Sequence, residues 1–398
     1  MSSPSQLPTV DMIIAVHDLR RNIRRAIGSV LSDPDPSIRV LVVAHNLDAT
    51  AVAAEVRDLV DDNPGRVRIE ELKDGVPSPS GPFNFGMAIS DAVYVGIMGS
   101  DDELDTAAIA QWRSRAERFH ADAVIAKVVR GGVRTLVRSP PKRVWRTGVL
   151  DFVRDRLSYR SAPLGLMRRE AVTRLELRLL EGARNGGDLP FVTRLWLLGR
   201  VVADQGTAAY VGHDDAPERV TFVAKPVREE LGPVRDLLAG ELVRQMSRAQ
   251  KEALTTKLLR RNVIDSIRKR DGGRLLSPDD LDVLRGIFAT IQDITPRAMD
   301  LVSGSQRAMF EEIRAECPDL ERVVALNGES ARMRSPRAIM PARWRFLLHS
   351  QAQPRFVAAS ALIKIGASRF FPWVRGAAIS IATGVVLAAT AGLFWRGL

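Results

Sequence analysis

VDMIIAVHDLRRNIRRAIGSVL, residues 10–31, is the stretch that decides the fold class. Its first seven residues are almost all apolar and predict a buried strand, and the apolar residues from Asn22 to Leu31 recur at helical spacing. The same alternation continues, with further strands predicted at 38–43, 67–72, 93–98 and 123–129 and helices near 50–60, 84–90 and 107–119. Such an alternation is typical of a mostly parallel, Rossmann-like sheet flanked by helices, so we expect an α/β domain.

The composition is that of a globular protein. The chain has 398 residues, of which 45% are hydrophobic and 26% charged. This length favours two domains, or one domain with an extension. The single cysteine, Cys317, excludes an internal disulfide and a cysteine-based zinc site. The net charge of +11 indicates an anionic partner, which is a nucleic acid, an anionic membrane surface or a phosphorylated substrate.

The C-terminal part of the sequence favours the membrane surface. From Ala331 to Arg375 there are nine Lys and Arg residues and no acid, and 376–395 are 20 uncharged, mostly apolar residues. We predict a single transmembrane helix there, a C-terminal anchor in the cell membrane, with residues 1–375 on the cytoplasmic side. An alanine-rich buried or interfacial helix is the alternative. Small residues every four positions in 376–392 suggest a homodimer through this helix, although alanine is common there.

The segment before the apolar run divides the chain further. Pro354 to Phe371 mixes apolar and basic residues and suggests a helix lying on anionic lipids, or else an ordinary core helix. The N-terminal residues have no pattern of a signal peptide. We therefore expect a catalytic domain at 1–222, a basic helical extension at 223–350, an interfacial segment at 351–375 and the transmembrane helix at 376–395.

Two adjacent carboxylates, Asp101 and Asp102, follow the fourth predicted strand. In open α/β sheets, ligands bind at the carboxyl ends of the strands. Adjacent carboxylates repel each other unless a cation or hydrogen-bond donors neutralise them, and oxygen ligands suit Mg²⁺ or Mn²⁺. A solvated turn or a helix cap is the alternative interpretation of this pair. Ser277-Pro278-Asp279-Asp280, by contrast, has the pattern of a helix start.

Five segments, in order, resemble the inverting glycosyltransferases of family 2, which have the GT-A fold. Residues 10–31 are similar to that family's opening strand and helix, and YVGIMGSDDELDTAAI is similar to its metal-binding element, Leu-Asp-x-Asp-Asp. APLGLMRREAV resembles an acceptor-side segment, and NGGDLPFVTRLWLLGRV resembles the segment that carries the catalytic base. YVGHDDAPERVT, residues 210–221, resembles the closing stretch of the domain. The resemblance ends near residue 222.

The resemblance implies a role for individual residues. Asp188 takes the position of the general base, and Asp101 takes that of the principal metal ligand, with Asp102 supporting it or holding the turn. His213 is a further candidate for metal or diphosphate, and Arg219 for phosphate. For donor binding, the implied residues are Val16, His45, Asn46, Asn84, Asp101 and Arg219. Asp188 also precedes a predicted helix, Leu189 to Leu198, so it is a candidate N-cap, and Trp196 is a candidate core residue.

The sequence departs from the family pattern at three positions. The second strand runs VVAHNLD, so Ala44, His45 and Asn46 replace the usual acidic turn that recognises the base. Gly99 replaces the first Asp of the metal motif, and Gly187 replaces the Glu of Gly-Glu-Asp. A base, ribose or metal contact is therefore missing or comes from elsewhere.

The sequence thus predicts a metal-dependent inverting glycosyltransferase of the hexosyltransferase type. It would use a nucleotide-sugar donor and a lipid-linked or polymer glycan acceptor of a bacterial cell envelope. A catalytically inactive membrane-bound scaffold of the same fold is the alternative, motivated by the three departures. A basic nucleic-acid-binding protein is the third interpretation, but the lipid headgroups already account for the basic run, so we expect no nucleic-acid partner.

Overall fold

The computed structural model describes residues 8–183, 185–213, 225–332 and 335–366. They divide into two compact units. The first comprises 8–137, 147–151 and 160–213, and the second comprises 138–146, 152–159 and 225–366 with its gap. Two short segments inside the predicted domain 1–222, namely 138–146 and 152–159, therefore belong to the second unit. These two short segments are joined by Arg143, which donates to the buried Asp155 carboxylate at 2.7 and 2.8 Å.

The strands of the first unit form two sheets. In chain order they are β1 Val10–Val16, β2 Ile38–His45, β3 Val67–Leu72, β4 Tyr94–Gly99, β5 Glu103–Leu104, β6 Ala123–Ile125, β7 Val128–Arg130, β8 Thr135–Leu136, β9 Gly165–Arg168, β10 Val201–Ala203 and β11 Tyr210–Gly212. The described residues give one sheet of seven strands, in the order β10-β6-β9-β4-β1-β2-β3, and one of four, in the order β5-β11-β7-β8.

The larger sheet is mixed. Its interior strand β1 is parallel to both neighbours, β2 and β4, whereas β9 is antiparallel to both β4 and β6. Strand β1 is buried at every residue but Ala15, as expected of a strand that is covered on both faces. The α/β prediction is confirmed, and the single antiparallel strand β9 makes the sheet mixed rather than wholly parallel.

The strand predicted at 123–129 is in fact two strands in two sheets. Ala126 and Lys127 separate β6 from β7: the Ala126 amide donates to the Leu164 carbonyl, and the Lys127 carbonyl accepts from the Tyr210 amide. The chain therefore changes partners within one apolar run. The hydrophobic pattern alone does not reveal such a change, because both parts are buried.

Seven helices are described in the first unit. They are α1 Ile23–Leu31, α2 Ala49–Glu55, α3 Arg57–Asp61, α4 Ser80–Ile89, α5 Ala108–Phe119, α6 Arg169–Arg174 and α7 Leu189–Leu198. Helix α4 begins earlier than predicted and lies close to the sheet, since a Cβ at Gly86 would be 2.5 Å from Ile13 Cγ2. Trp196 of α7 is buried and donates from Nε1 to the Arg160 carbonyl at 2.8 Å, so its core assignment is confirmed.

The described part of the second unit is helical. Its helices are α8 Val227–Glu230, α9 Gly232–Ala239, α10 Glu241–Gln245, α11 Arg248–Lys257, α12 Ile264–Arg268, α13 Pro278–Ile294, α14 Ala298–Leu301, α15 Gly304–Arg314, α16 Leu320–Ala331, α17 Pro336–Ile339 and α18 Gln353–Gly366. A π-helical turn, Leu258–Val263, joins α11 to α12.

Local signals account for several of these helix starts. Ser277 and Asp280 form a reciprocal capping box at α13, which confirms the predicted helix start. Within the predicted helical extension, residues 234–249 have the apolar spacing of one continuous helix but belong to three, because Gly240 adopts an extended conformation and Ser247 caps α11.

The membrane predictions fall largely outside the described residues. The predicted transmembrane helix at 376–395, and the interfacial segment beyond residue 366, lie among residues that the structure does not describe. Within the described residues, no helix combines the length and the hydrophobicity needed to cross a bilayer.

Candidate functional site

Polar side chains from β1, β2 and β4 gather at the carboxyl ends of these strands in the first unit. There they line a cavity of about 610 Å³, whose polar lining residues are His17, Arg21, His45, Asn46, Ser78, Ser100, Asp101, Asp102, Arg130, Tyr210 and His213. The location agrees with the rule for open α/β sheets. Burial, followed by the charge of Arg21, lowers the pKa of His17, so this imidazole is neutral at pH 7.

Asp102 holds the turn after β4. Its Oδ2 accepts a hydrogen bond from the Tyr210 hydroxyl at 2.5 Å, and its Oδ1 accepts from the His213 backbone N–H at 3.1 Å. The Tyr210 hydroxyl also accepts from the Gly99 N–H at 3.1 Å. Asp102 therefore ties the end of β4 to β11. Burial and this carboxylate raise the pKa of Tyr210 well above its ordinary value, so the phenol stays protonated and donates.

Gly99 is a consequence of this arrangement. A Cβ at this position would lie 2.6 Å from Asp102 Oδ2 and 3.2 Å from Asp101 Oδ1. The space that a side chain at 99 would need is occupied by the two following carboxylates. The replacement of the family's first Asp by glycine is therefore accompanied by a turn in which Asp102 fills the vacated volume.

Asp101 faces the cavity beside a guanidinium group. Arg21 Nη1 lies 3.1 Å from Asp101 Oδ1, and Arg25 donates to the Asp101 backbone carbonyl. Arg21 lines the same cavity. The carboxylate is thus partly neutralised from one side and remains part of the cavity wall, which suits a group that takes up a cation or a phosphate-bearing ligand.

His45 and Asn46 meet a carboxylate that the sequence analysis did not identify. His45 Nε2 lies 2.9 Å from Asp74 Oδ1, and the Asn46 amide oxygen accepts from the Gly75 N–H at 2.9 Å. Burial alone would raise the pKa of Asp74, but hydrogen bonds from Val76 N–H and His45 lower it. An acid of the segment after β3 therefore lies beside the turn after β2, where it contacts His45 and is not itself among the residues that line the cavity. The spacing gave no signal for it, because Asp74 is distant in sequence and close only after β2 and β3 pair.

Asp188 lies at the start of α7 and lines a second cavity, of about 320 Å³. Its side chain does not make the N-terminal capping hydrogen bond of α7. The two cavities share a wall, formed by Pro79, Phe83, Gly99, Asp102, Leu164 and Tyr210. Asp101 and Asp188, 87 positions apart in the sequence, therefore line adjoining cavities.

Gly187 is also explained by packing. A Cβ there would lie 2.6 Å from Ser80 Oγ and 2.8 Å from the Leu180 carbonyl oxygen, and the Gly187 carbonyl itself accepts from Leu180 N–H at 2.8 Å. The Glu expected from the family pattern has no room in this loop. The loop instead packs directly against the start of α4 and fixes the backbone before Asp188.

The remaining candidates have different surroundings. Val16 is 0% exposed in the core, so its side chain does not reach the cavity, whereas the next residue does. Asn84 joins α4 to residue 179: its amide donates to the Leu179 carbonyl and accepts from the Leu179 N–H, both at 2.9 Å. Neither cavity is lined by Asn84, so this structure gives it a connecting role. Arg219 lies outside the described residues.

The residues that could hold a divalent cation are few. His213 Nε2 lies 3.0 Å from Glu103 Oε2, and both Asp102 oxygens accept the hydrogen bonds described above. No cluster of three or more His, Cys, Asp or Glu side chains able to hold a metal occurs in the described part of the chain. Mg²⁺ is commonly held by one or two carboxylates together with substrate phosphates. Asp101 and His213 line the same cavity and are the residues there that could contribute to a site of that kind.

Tyr210, Arg21 and Arg130 line the cavity but were not candidates from the sequence. Tyr210 belongs to the closing motif quoted above, so a signal for it existed. Arg21 stands among four arginines in 20–25, and nothing in that pattern distinguishes the one that reaches Asp101.

Comparisons with known proteins relate this chain to glycosyltransferases. Residues 11–175 match the model of the family described as glycosyl transferase family 2. Over 188 residues the chain is 23% identical to poly(ribitol-phosphate) beta-N-acetylglucosaminyltransferase TarP of Staphylococcus aureus, covering 46% of this chain and 55% of TarP. The chain therefore spans about half the length of that relative.

Solved structures of S. aureus TarS have a similar fold. The TarS 1–349 complex with UDP-GlcNAc gives a TM-score of 0.66 at 14% identity, covering 81% of this chain and 91% of that one. TarS itself gives 0.62 at 15% identity, covering 81% of this chain and 55% of that one. At these identities the likeness concerns the fold.

Proposed function

We propose that this chain, whose residues 11–175 match the model of glycosyl transferase family 2, transfers a sugar, with inversion, from a nucleotide-sugar donor to an anionic cell-envelope polymer. The observation that carries the proposal is the pair of adjoining cavities that share the Gly99–Tyr210 wall, with Asp101 in one and Asp188 in the other. In this arrangement a donor in the cavity of Asp101 and an acceptor in the cavity of Asp188 would meet at the shared wall.

The donor would occupy the larger cavity. His45, Asn46 and the nearby Asp74 provide donors and acceptors for a base and ribose, and Arg21 and Arg130 provide positive charge for a diphosphate. The TarS complex with UDP-GlcNAc makes this nucleotide sugar the first donor to test.

Asp188 would act as the general base. Its carboxylate accepts the proton of an acceptor hydroxyl while that oxygen forms a bond to the anomeric carbon. The bond from the anomeric carbon to the diphosphate oxygen breaks on the opposite face, and the electron pair leaves with the nucleoside diphosphate. Positioned bases of this kind contribute about 10²- to 10⁴-fold to the rate.

Asp101, with His213, would hold a divalent cation, Mg²⁺ or Mn²⁺. When bound, such a cation supplies positive charge against the charge that develops on the leaving diphosphate. Arg21, which forms an ion pair with the Asp101 carboxylate, would add a second positive charge next to the cation.

The acceptor class follows from charge and from the relative. TarP is described as acting on poly(ribitol-phosphate), which is a polyanion, and this chain has a net charge of +11. A basic protein attracts such an acceptor over a distance. The alternative of an inactive scaffold rested partly on the glycines at 99 and 187. Packing of neighbouring groups accounts for glycine at both positions, so these two departures from the family pattern are weaker evidence for lost activity.

The test compares Asp101→Asn and Asp188→Asn with the parent protein, using UDP-GlcNAc, poly(ribitol phosphate) and Mn²⁺. We expect Asp188→Asn to lower kcat for transfer at least about 100-fold, with little change in the Kd for the donor. Asp101→Asn should weaken Mn²⁺-dependent donor binding as well as turnover. Calorimetric titration and release of UDP provide the two readouts.

Asp62→Asn is the matched control, since Asp62 is an exposed carboxylate of the same unit at the end of α3. It should leave both readouts unchanged. Full turnover in both site variants would refute the assignment of these two residues. Donor binding without hydrolysis or transfer, across a wide panel of nucleotide sugars, would favour the inactive scaffold.

A further inference from the structure

A short segment of the helical unit displays two large apolar side chains beside arginines. Trp344 is 85% exposed and Leu348 is 71% exposed, whereas Phe346 between them is buried. Arg343 and Arg345 flank Trp344, and both side chains are about half exposed. We call residues 343–348 the Trp344 patch. Exposed apolar side chains that lie close together and are rimmed by polar ones mark surfaces that meet a partner, whereas single ones are ordinary.

The patch is held in place by the structure beneath it. Phe346 packs edge-on against His349, with ring centroids 6.2 Å apart, and His349 Nε2 lies 3.2 Å from Glu252 Oε2. Backbone hydrogen bonds from Phe346 to Arg343 and from Leu347 to Trp344 close the turn. The outward position of Trp344 and Leu348 is therefore fixed by a buried anchor, and it is not the result of an unrestrained loop.

The charge of the patch is positive. Asp300 is the acid beside it, with Arg343 Nε at 3.1 Å and Arg345 Nη2 at 4.0 Å, and the same carboxylate also binds Arg307. One carboxylate thus serves three guanidinium groups. Among 331–366 the sequence contains no acid, so α17 and α18 bring no further negative charge to this side.

We propose that the Trp344 patch docks on the surface of an anionic lipid bilayer, with Trp344 and Leu348 in the interfacial region and Arg343 and Arg345 at the headgroups. Tryptophan and arginine have these positions at membrane interfaces, because an indole ring is apolar with one polar edge and a guanidinium group pairs with phosphate. A soluble polyanion would pair with the arginines but offers nothing to two exposed apolar side chains. The apolar sequence at 376–395 and the basic run before it agree with a membrane partner.

A single-cysteine label tests the proposal in the full chain. Cys317, which is the protein's one cysteine, is replaced by serine, and Leu348→Cys carries an environment-sensitive dye. Vesicles of phosphatidylcholine with phosphatidylglycerol should shift the emission to the blue and protect the dye from an aqueous quencher. Pure phosphatidylcholine should give a smaller shift, and Arg343→Gln with Arg345→Gln should abolish the response to the anionic lipid.

Leu275→Cys is the matched control. Leu275 is 68% exposed in the same unit, and its neighbour Arg274 is paired with Glu321 at 2.9 Å and with Asp271 at 2.8 Å. The same dye at 275 should not respond. Equal responses at 275 and 348, no response at 348, or a response to polyphosphate without vesicles would each overturn the proposal. A dye at 348 that is already protected before lipid is added would show that the chain itself covers the patch, which would also overturn it.

Discussion

Tyr210 links the two parts of the site at the level of a single residue. Its hydroxyl donates to Asp102 and accepts from Gly99 N–H, and its ring belongs to the wall shared by the two cavities. The hydroxyl has both partners in place and is buried. A buried, fully satisfied polar group of this kind fixes the carboxylate that it binds and also stabilises the fold.

We predict that Tyr210→Phe lowers kcat about 10- to 100-fold and lowers the melting temperature as well, because a buried hydrogen bond to a charged group contributes about 1.5–3 kcal/mol. Without the hydroxyl, Asp102 loses the contact that ties its Oδ2 to β11, and the turn that presents Asp101 relaxes. Steady-state kinetics and thermal unfolding of the same preparation measure both effects.

Tyr94→Phe is the control for this prediction. Tyr94 is likewise a buried tyrosine, and its hydroxyl accepts from Arg168 at 2.9 Å, but it lies at the opposite end of β4 from Gly99. It should leave kcat unchanged. An equal loss of kcat in both variants would mean that the effect of Tyr210→Phe is a general weakening of the sheet.

The sequence predicted site residues that directly follow a strand or belong to a recognisable motif. It missed residues that reach the site only when neighbouring strands pair. Asp101 was found because it ends an apolar run, and Asp188 because its segment resembles the one that carries the family's catalytic base. Asp74 approaches His45 only after β2 pairs with β3, and Arg21 reaches Asp101 only after β1 pairs with β4. The local pattern specifies where a strand ends. It does not specify which side chains of neighbouring segments meet there.

At the level of the elements, three glycines of the helical unit allow a direct test of packing. Gly286 in α13 and Gly328 in α16 are exposed, and a Cβ at either position would meet nothing within 4 Å. Gly273 has a φ of +120°, and a Cβ there would lie 2.6 Å from Val323 Cγ1. The first two glycines lower the stability of their helices, because glycine loses more backbone entropy on folding than alanine does. At position 273, glycine is required because the φ is positive and Val323 leaves no room for a Cβ.

We predict that Gly286→Ala and Gly328→Ala each raise the free energy of unfolding by roughly 0.5–1 kcal/mol, since alanine loses less backbone entropy on folding. Gly273→Ala should lower it, because alanine is strained at this φ and its Cβ meets Val323. Denaturant unfolding of the three variants measures the differences. Stabilisation by Gly273→Ala, or destabilisation by the two helix variants, would contradict the packing described for these helices.

Element boundaries were predicted well where the chemistry is local. Strands β1 and β3 and helix α7 have the bounds expected from their apolar spacing, and α13 begins at its capping box. The errors lie where tertiary contacts divide a continuous pattern. The apolar run 123–129 is shared between two sheets, and the helical pattern at 234–249 is interrupted at Gly240 and Ser247.

At the scale of the whole molecule, the excess of 58 Lys and Arg over 47 Asp and Glu is the property that bears on the acceptor. A net positive charge raises the local concentration of a polyanion near the protein, and salt removes this effect once the Debye length falls below the separation of the charges. The donor also carries negative charge, but it is small and contacts one cavity. A polymer extends past that cavity and meets more of the surface.

We therefore predict that kcat/KM for poly(ribitol phosphate), at saturating UDP-GlcNAc, falls about tenfold or more between about 0.05 M and about 0.5 M NaCl, mainly through KM. Hydrolysis of the same donor without acceptor should fall much less, because it involves no polyanion, and it controls for any loss of the folded enzyme in salt. The ratio of transfer to hydrolysis, measured across the salt series, isolates the effect of salt on binding of the acceptor. A ratio that does not change with salt would mean that the acceptor is recognised without its phosphates, and a neutral glycan would then replace the anionic polymer as the acceptor class.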